Sequence, residues 1–461
     1  MSFVIVLAAL VFLMFVAYRG YSVIMFAPVA ALLAVLFTDP SQVLPMFSGV
    51  FLDKMVGFVK LYFPVFMLGA IFGKVIELSG FSKSIVSSVI KFVGQKRAIL
   101  SIVLVCAILT YGGVSLFVVV FAVYPFAAEM FRQSDIPKRL IPGTIALGAF
   151  TFTMDSLPGT PQIQNIIPTT FFKTTTYAAP WMGIIGSIFI LVVGLTYLDW
   201  RRRRAASRSE GYGTILVNEP EAFEEEKLAN PWIALLPLIV VGLLNKLFTV
   251  AIPQFYGTSF TLPLAGNPVT IQIGKVAAIW AVEGALLMGI LCVFAFAFKP
   301  VMAKFADGTK AAVAGSLLAS MNTASEYGFG GVIAALPGFT VVADALKAIP
   351  NPLVNEAITV SALAGITGSA SGGMSIALAA MSDTFIQAAN AAHIPLEVLH
   401  RVASMASGGM DTLPHNGAVI TLLAVTGLTH RTSYGDIFAV TLIKTAAVFV
   451  VIAIYYLTGI Y

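Results

Sequence analysis

Apolar residues run through this chain in long blocks, as at 2–17, 181–197 and 440–457, broken by short polar or glycine-rich stretches. Blocks of that length match the ~20 helical residues that cross a ~30 Å hydrocarbon core. The pattern predicts spans at about 2–18, 21–38, 56–79, 180–199, 231–251, 274–298, 311–336 and 436–458. Four other regions do not read as simple spans. Region 98–131 is broken at Tyr111-Gly112-Gly113-Val114-Ser115, and region 353–391 at Gly368-Ser369-Ala370-Ser371-Gly372-Gly373-Met374-Ser375. The first arm of 98–131 reaches only ~21 Å as helix, and basic residues flank both ends, which predicts a re-entrant hairpin. Segments 141–176 and 398–428 carry Met154-Asp155-Ser156-Leu157-Pro158 and its near-copy Met410-Asp411-Thr412-Leu413-Pro414. Gly159 and Pro161 follow the first motif, and an α-helix cannot continue through that composition. Each segment is expected to be a discontinuous helix.

Three landmarks keep their order across the two halves. Phe72-Gly73-Lys74 corresponds to Phe329-Gly330-Gly331, Gly112–Ser115 to Gly372–Ser375, and the Asp155 motif to the Asp411 motif, at offsets of 257, 260 and 256 residues. An internal duplication is the economical reading. The expected organisation is two N-terminal helices (1–55), a first repeat (56–200), a hydrophilic linker (201–230), two connecting helices (231–310) and a second repeat (311–461). The expected fold class is an all-α polytopic membrane protein of about 10 spans plus 2 hairpins, built from two inverted-topology repeats. The inversion rests on charge. With the run Arg201-Arg202-Arg203-Arg204 placed inside, 18 of the 27 Lys and Arg residues fall in cytoplasmic segments; Lys74 and Lys444 lie within spans, and seven, Arg401 among them, lie outside or at the outer edge. Both termini are then periplasmic, and the N-terminal apolar block is expected to be a retained span rather than a signal peptide.

Composition narrows the classes. Apolar residues make up 58% and charged residues 11%, far from the roughly 25% charge of soluble domains. Long apolar runs exclude a β-barrel, whose strands alternate. Two cysteines in apolar runs argue against disulfides or a thiolate metal site. The net charge of +5 follows membrane topology and implies no nucleic-acid partner. No zinc-hydrolase, phosphate-loop or serine-hydrolase motif occurs in a fitting context, so neither enzymatic activity nor a cofactor is expected.

Broken helices in a membrane present unpaired N–H groups and a partial positive charge, which suits carboxylate substrates. The candidate substrate site therefore gathers Gly113, Ser115, Asp155, Ser156, Gly159, Thr160, Gln162 and Asn165 from the first repeat. From the second it takes Ser369, Ser371, Gly373, Ser375, Asp411, Thr412, His415 and Asn416. Proton coupling is assigned to Asp411, His415, Glu326 and Asp155, since an ionisable group at membrane depth is costly unless used. Plainer readings stand beside these. Asp155 and Asp411 could cap the half-helices that follow them, and the paired glycines could serve close packing. Glu326 could sit in an ion pair with Lys444, or Glu283 could take that lysine. His393, His400 and His430 read as interfacial. The arginine run reads as a topology anchor, with an anionic-lipid site as its alternative.

Arg19-Gly20-Tyr21-Ser22 with Ala27-Pro28, the Phe72-Gly73-Lys74 segment and the two Met-Asp-Ser/Thr-Leu-Pro motifs together resemble the gluconate permease (GntP) family, and within it the D-β-hydroxybutyrate branch. The resemblance covers essentially the whole chain. It implies a bacterial inner-membrane secondary transporter that takes up small hydroxy-monocarboxylates by proton symport. A sodium-coupled carrier or sodium/proton antiporter of the same superfamily is the alternative. The wider ion-transporter superfamily implies a homodimer whose hairpin tips meet the substrate and which works by an elevator motion. Gluconate-specific members are similar in plan but carry a proline- and histidine-rich first tip, where this chain has Leu157-Pro158-Gly159-Thr160-Pro161-Gln162. A shorter hydroxy acid such as 3-hydroxybutyrate fits that tip at least as well.

Overall fold

The computed structural model describes residues 2–19, 21–94, 97–213, 217–220, 228–264, 266, 268–339, 341, 349–414 and 416–461. Helices α1 (Ser2–Tyr18) and α2 (Val23–Thr38) pair with one another and α2 lies along α13 (below). The first repeat comprises α3 (Leu52–Leu78), α4 (Phe81–Val93), a hairpin of α5 (Ala98–Tyr111) and α6 (Leu116–Gln133), and a broken helix of α7 (Ile141–Ala149), α8 (Phe152–Asp155) and α9 (Ile163–Phe172). The long α10 (Pro180–Ala206) closes it. Next come α11 (Pro231–Tyr256), an antiparallel β-hairpin of β1 (Ser259–Leu262) and β2 (Val269–Gln272), and α12 (Ile273–Ala303). The second repeat repeats the plan: α13 (Phe305–Ala335), a hairpin of α14 (Pro352–Thr367) and α15 (Ala370–Ala391), a broken helix of α16 (Leu396–Gly408) and α17 (Gly417–Thr426), and α18 (His430–Thr458). Among the described residues five helices are long and apolar enough to cross a membrane: Pro40–Leu78, Pro180–Ala206, Pro231–Tyr256, Ile273–Ala303 and His430–Thr458.

Helix directions show the inversion without appeal to charge. Along the contact between α3 and α13, Gly308 meets Leu78 and Lys74, whereas Gly331 at the other end meets Lys54 and Tyr327 stacks at a tilt on Phe58. The two equivalent helices therefore run antiparallel. The closing helices do the same: Gly186 of α10 meets Val451 of α18, and Tyr197 meets Asp436. Two antiparallel pairs of equivalent helices are what a two-fold axis in the membrane plane produces.

Both hairpins form where glycine-rich breaks stand in apolar blocks. At the first tip Gly113 has φ +95°, a left-handed conformation that favours glycine. At the second, Gly368 adopts φ +69° as the C-cap of α14. The neighbouring glycines are closely packed. A methyl on Gly112 would overlap the Leu238 side chain, and one on Gly373 would overlap the Ala364 backbone across the hairpin.

Three features differ from expectation. The polar stretch after α3 is a helix, α4, because its apolar residues Phe81, Ile85, Val86 and Ile90 recur at helical spacing and are buried. The β-hairpin between α11 and α12 sits where alternating Thr, Phe, Val and Ile flank a turn. The linker is docked over its first part. Its Glu210 accepts two hydrogen bonds from Arg139, at 2.6 and 2.9 Å. Tyr212 donates its N–H to Asp135 at 3.0 Å. Glu219 pairs with Arg132 and, at 2.7 Å, with the buried Lys138. The acidic residues Glu224, Glu225 and Glu226 of the linker lie outside the described residues.

The docked linker has a defined pH range. Hydrogen bonding from Arg139 holds the Glu210 carboxyl below its ordinary value of 4.5, against the opposing effect of burial. At Glu219 burial pushes upward most strongly, but Lys138 and Arg132 together outweigh it and the net shift is downward. Depressed carboxyl values stabilise the docked form above pH 4.5, and that contribution is lost as pH falls through the lower folded values. Protection of the 207–213 segment from proteases is expected to hold from about pH 8 to about pH 5 and to fail below about pH 4. Loss of protection near neutral pH would refute this account.

Candidate functional site

The first break sits between α8 and α9, and it frees backbone carbonyls where no water is at hand. An unpaired carbonyl in hydrocarbon costs several kcal/mol, so each needs a donor. The Thr153 carbonyl accepts from Thr160 Oγ1 at 2.7 Å, that of Pro158 from the Tyr111 hydroxyl at 2.9 Å, and that of Gly159 from Asn245 at 3.0 Å. The Thr160 carbonyl accepts from Asn165 at 3.0 Å. The Asp155 carbonyl receives both Arg401 and Ser404 of α16, each at 2.8 Å. Gly159, at φ +81°, is pressed against the Tyr177 ring, which leaves no room for a side chain.

The second break, between α16 and α17, is held in the same way by other residues. Thr412 donates to the Gly409 carbonyl at 3.0 Å, and His430 bonds the Pro414 carbonyl at 2.8 Å. Asn416 caps α17 by accepting from the Ala418 N–H at 2.7 Å. Its amide nitrogen also donates to Gly368 at the second hairpin tip, at 2.8 Å. Asp411 accepts from the Ala370 N–H in the first turn of α15 at 3.0 Å, and from Gln164 of the first break at 2.9 Å. One carboxylate thus ties the second hairpin tip to both breaks.

Between the breaks lies a buried charge cluster. Asp155 forms an ion pair with Lys444 of α18 and accepts a hydrogen bond from Ser156 at 2.8 Å. The Lys444 charge acts on Asp411 as well as on Asp155. Gly408 is the residue that admits this contact: a methyl there would overlap both the Asp155 carboxylate and the Lys444 amine. Arg401 is fully buried and also donates to Ala178 at 2.7 Å and to Asn165 at 3.0 Å. Glu326 of α13 is buried against Gly372 and Ser369, and its Oε2 has no hydrogen-bond partner among the described residues.

These contacts correct several expectations. Neither Asp155 nor Asp411 caps the helix that follows it; Asp155 is a salt-bridge partner, and Asp411 caps α15 of the hairpin. Lys444 pairs with Asp155 rather than with Glu326 or Glu283. Arg401 is not at an outer edge, and His400 is not interfacial: it is buried, 2.7 Å from Thr174 Oγ1 and 3.2 Å from Asn165 Oδ1. His393 and His430 are exposed. His415 lies outside the described residues.

The fifteen described candidate substrate residues separate by burial. Asp155, Ser156, Thr160, Asn165, Ser375 and Thr412 are wholly buried, and their polar groups serve internal bonds. Ser115 and Gln162 at the first tip, and Ser369 and Ser371 at the second, are half-buried. Gln162 donates to the Thr110 carbonyl at 2.8 Å. Ser371 lies 3.2 Å from Thr323 and 3.4 Å from Ser369, so three hydroxyls cluster at the second tip. Sequence reasoning missed Gln164, Arg401, His400, Ser404, Tyr111 and Asn245. Arg401 carried a usable signal, a cation five residues into a helix that has the Asp411 motif at its other end.

Removing one partner of a buried ion pair strands the other, at a cost of about 3–5 kcal/mol. Asp155→Asn and Lys444→Met are each expected to lower the thermal unfolding midpoint of the detergent-solubilised protein markedly. The double variant is expected to recover part of that loss. A double variant as damaged as the sum of the singles would show that the pair does not act as a unit.

No family model matches the chain. The YdaH transporter of Alcanivorax borkumensis, whose crystal structure is described as having an unusual topology, superposes with a TM-score of 0.56 over 91% of this chain and 90% of its own. At 16% identity that likeness shows the fold. The uncharacterized transporter YxjC of Bacillus subtilis (strain 168) is 60% identical over 470 residues, with 100% of each chain covered. With paired hairpins and broken helices around a buried charge cluster, the chain belongs to the family of membrane transporters represented by YxjC.

Proposed function

We propose that this chain is a secondary active transporter of the gluconate permease type, importing small hydroxy-monocarboxylates such as 3-hydroxybutyrate or gluconate across the bacterial inner membrane by proton symport. The observation that carries the reading is the composition of the buried cluster. Three buried carboxylates (Asp155, Asp411 and Glu326) stand against two buried cations (Lys444 and Arg401), with Glu326 next to Asp411. Fully ionised, the group holds one negative charge too many for a low-dielectric site, and one proton balances it.

The bonds each carboxylate makes support one division of roles. Asp155 is committed to Lys444, and Asp411 to Ala370, Gln164 and Asn416. Glu326 keeps an oxygen without a partner among the described residues, so it is the carboxyl that takes up the coupling proton. The substrate carboxylate binds at the N-terminus of α15, where the helix dipole is positive and Ser369, Ser371 and Thr323 supply hydroxyls. Those hydroxyls also suit the substrate's own hydroxyl group. Because Glu326 lies against Ser369 and Gly372, a bound anion and an ionised Glu326 would repel at close range. A proton on Glu326 removes that repulsion, and loading of the two becomes cooperative.

A counterflow screen over gluconate, 3-hydroxybutyrate, lactate, glycerate and citrate in proteoliposomes is expected to show exchange of the hydroxy-monocarboxylates and not of citrate. An inward proton gradient is expected to drive accumulation in the wild type. Glu326→Gln is expected to lose that accumulation by at least tenfold while retaining counterflow, because exchange does not need net proton movement. Undiminished accumulation in Glu326→Gln removes this residue from coupling. Collapse of uptake when choline replaces sodium assigns the coupling to sodium instead.

A further inference from the structure

The four arginines that end α10 divide into two pairs. Arg202 and Arg203 turn to Asp199, each at 2.7 Å. Arg201 and Arg204, three residues apart, turn the other way, to a cavity of about 170 Å³ that Arg139, Arg208, Ala205 and Glu210 also line. A topology anchor requires only basic residues on one face of the membrane; it does not require a cavity built from three separate parts of the chain. Here Arg139 comes from the turn entering the first broken helix, Arg201 and Arg204 from α10, and Arg208 and Glu210 from the linker.

Charge in the cavity is unbalanced. Arg139 is engaged by Glu210 and, at 3.2 Å, by Asp436 of α18. Arg201 Nε lies 2.6 Å from Asp436 Oδ1. Those two carboxylates are thereby occupied. Among the described residues Arg204 and Arg208 form no close ion pair, the Arg208 charge acting on Glu210 only at longer range, and Arg204 lies over the Trp200 ring at 5.3 Å. Four guanidinium groups against two carboxylates leave two positive charges. The partial negative charge at the end of α10, about half a unit, does not cancel them. Trp200 is about half exposed in the same turn, which marks the level of the membrane–water interface.

We propose that this cavity binds a phosphate group. Guanidinium forks match phosphate oxygens in pairs. A phosphomonoester carries about −1.5 to −2 charges at neutral pH, close to the local excess, whereas a monocarboxylate would neutralise half of it. A lipid headgroup and a soluble phosphate share this chemistry. The bound group would bridge the end of α10, the docked linker and, through Asp436, α18. The site is independent of the transported substrate.

The test uses the full chain in phosphatidylcholine nanodiscs, with thermal unfolding and native mass spectrometry as readouts. Phosphatidic acid is added to one arm, and inorganic phosphate to another against chloride at matched ionic strength. At least one arm is expected to stabilise the wild type. Arg204→Gln/Arg208→Gln, which breaks no ion pair seen among the described residues, is expected to weaken that binding at least tenfold. Arg208→Gln alone, beyond the helix end, is expected to lose part of it. Arg202→Gln/Arg203→Gln removes the same charge outside the cavity and is expected to retain binding. A response only to phosphatidic acid identifies a headgroup as the source; a response to inorganic phosphate identifies a soluble ligand. No response in either arm, or equal loss in the two double variants, overturns the proposal.

Discussion

The constraint on which this structure depends is that a backbone group freed inside a membrane must find a partner within the protein. Two helices are interrupted at depth, and each interruption exposes carbonyls that water cannot reach. The first break is closed by six donor side chains, among them Tyr111 of the first hairpin, Asn245 of α11 and Arg401 with Ser404 of α16. Those donors lock the first repeat to the second. The same bonds that make an unwound segment tolerable therefore also set the relative position of the repeats, and with it the place where the charge cluster forms.

Backbone symmetry does not extend to the chemistry. At an offset of 257 residues, Lys444, Arg401 and Glu326 of the second repeat correspond to Ser187, Thr144 and Gly69 of the first. Both buried cations and the extra carboxylate come from one copy. The first break is consequently the receiving side: its aspartate is neutralised and its carbonyls are clamped. The second keeps Asp411 as a cross-link and places Glu326 beside a hairpin tip with half-buried hydroxyls. A duplicated scaffold provides two similar sets of helix ends, and the divergence of three side chains makes their chemistry unequal.

The chain belongs to the transporter family of YxjC and shares its fold with YdaH. Small residues matter for a geometric reason. Gly408 lets Asp155 and Lys444 meet, and Gly372 admits Glu326 to the second tip. Neither position has a positive φ; each is glycine because a neighbour's charged group occupies the space of a side chain.

The sequence by itself determined the spans, both hairpins, both broken helices and their duplication. Length, periodicity and helix-breaking residues are local properties, and lipid enforces them strictly. It also marked Asp155, Asp411 and Glu326, because a carboxylate in an apolar block stands out. Tertiary structure alone decided the pairing. Lys444 had Glu326 and Glu283 as expected partners, and only the packing of α18 across Gly408 gave it to Asp155 instead. Arg401 and His400 read as edge residues because their depth depends on where α16 begins and on what it packs against. The internal bonds of Ser156, Thr160, Asn165 and Thr412 were likewise out of reach of the sequence: which carbonyl or carboxylate each one meets depends on how the broken helices fold back.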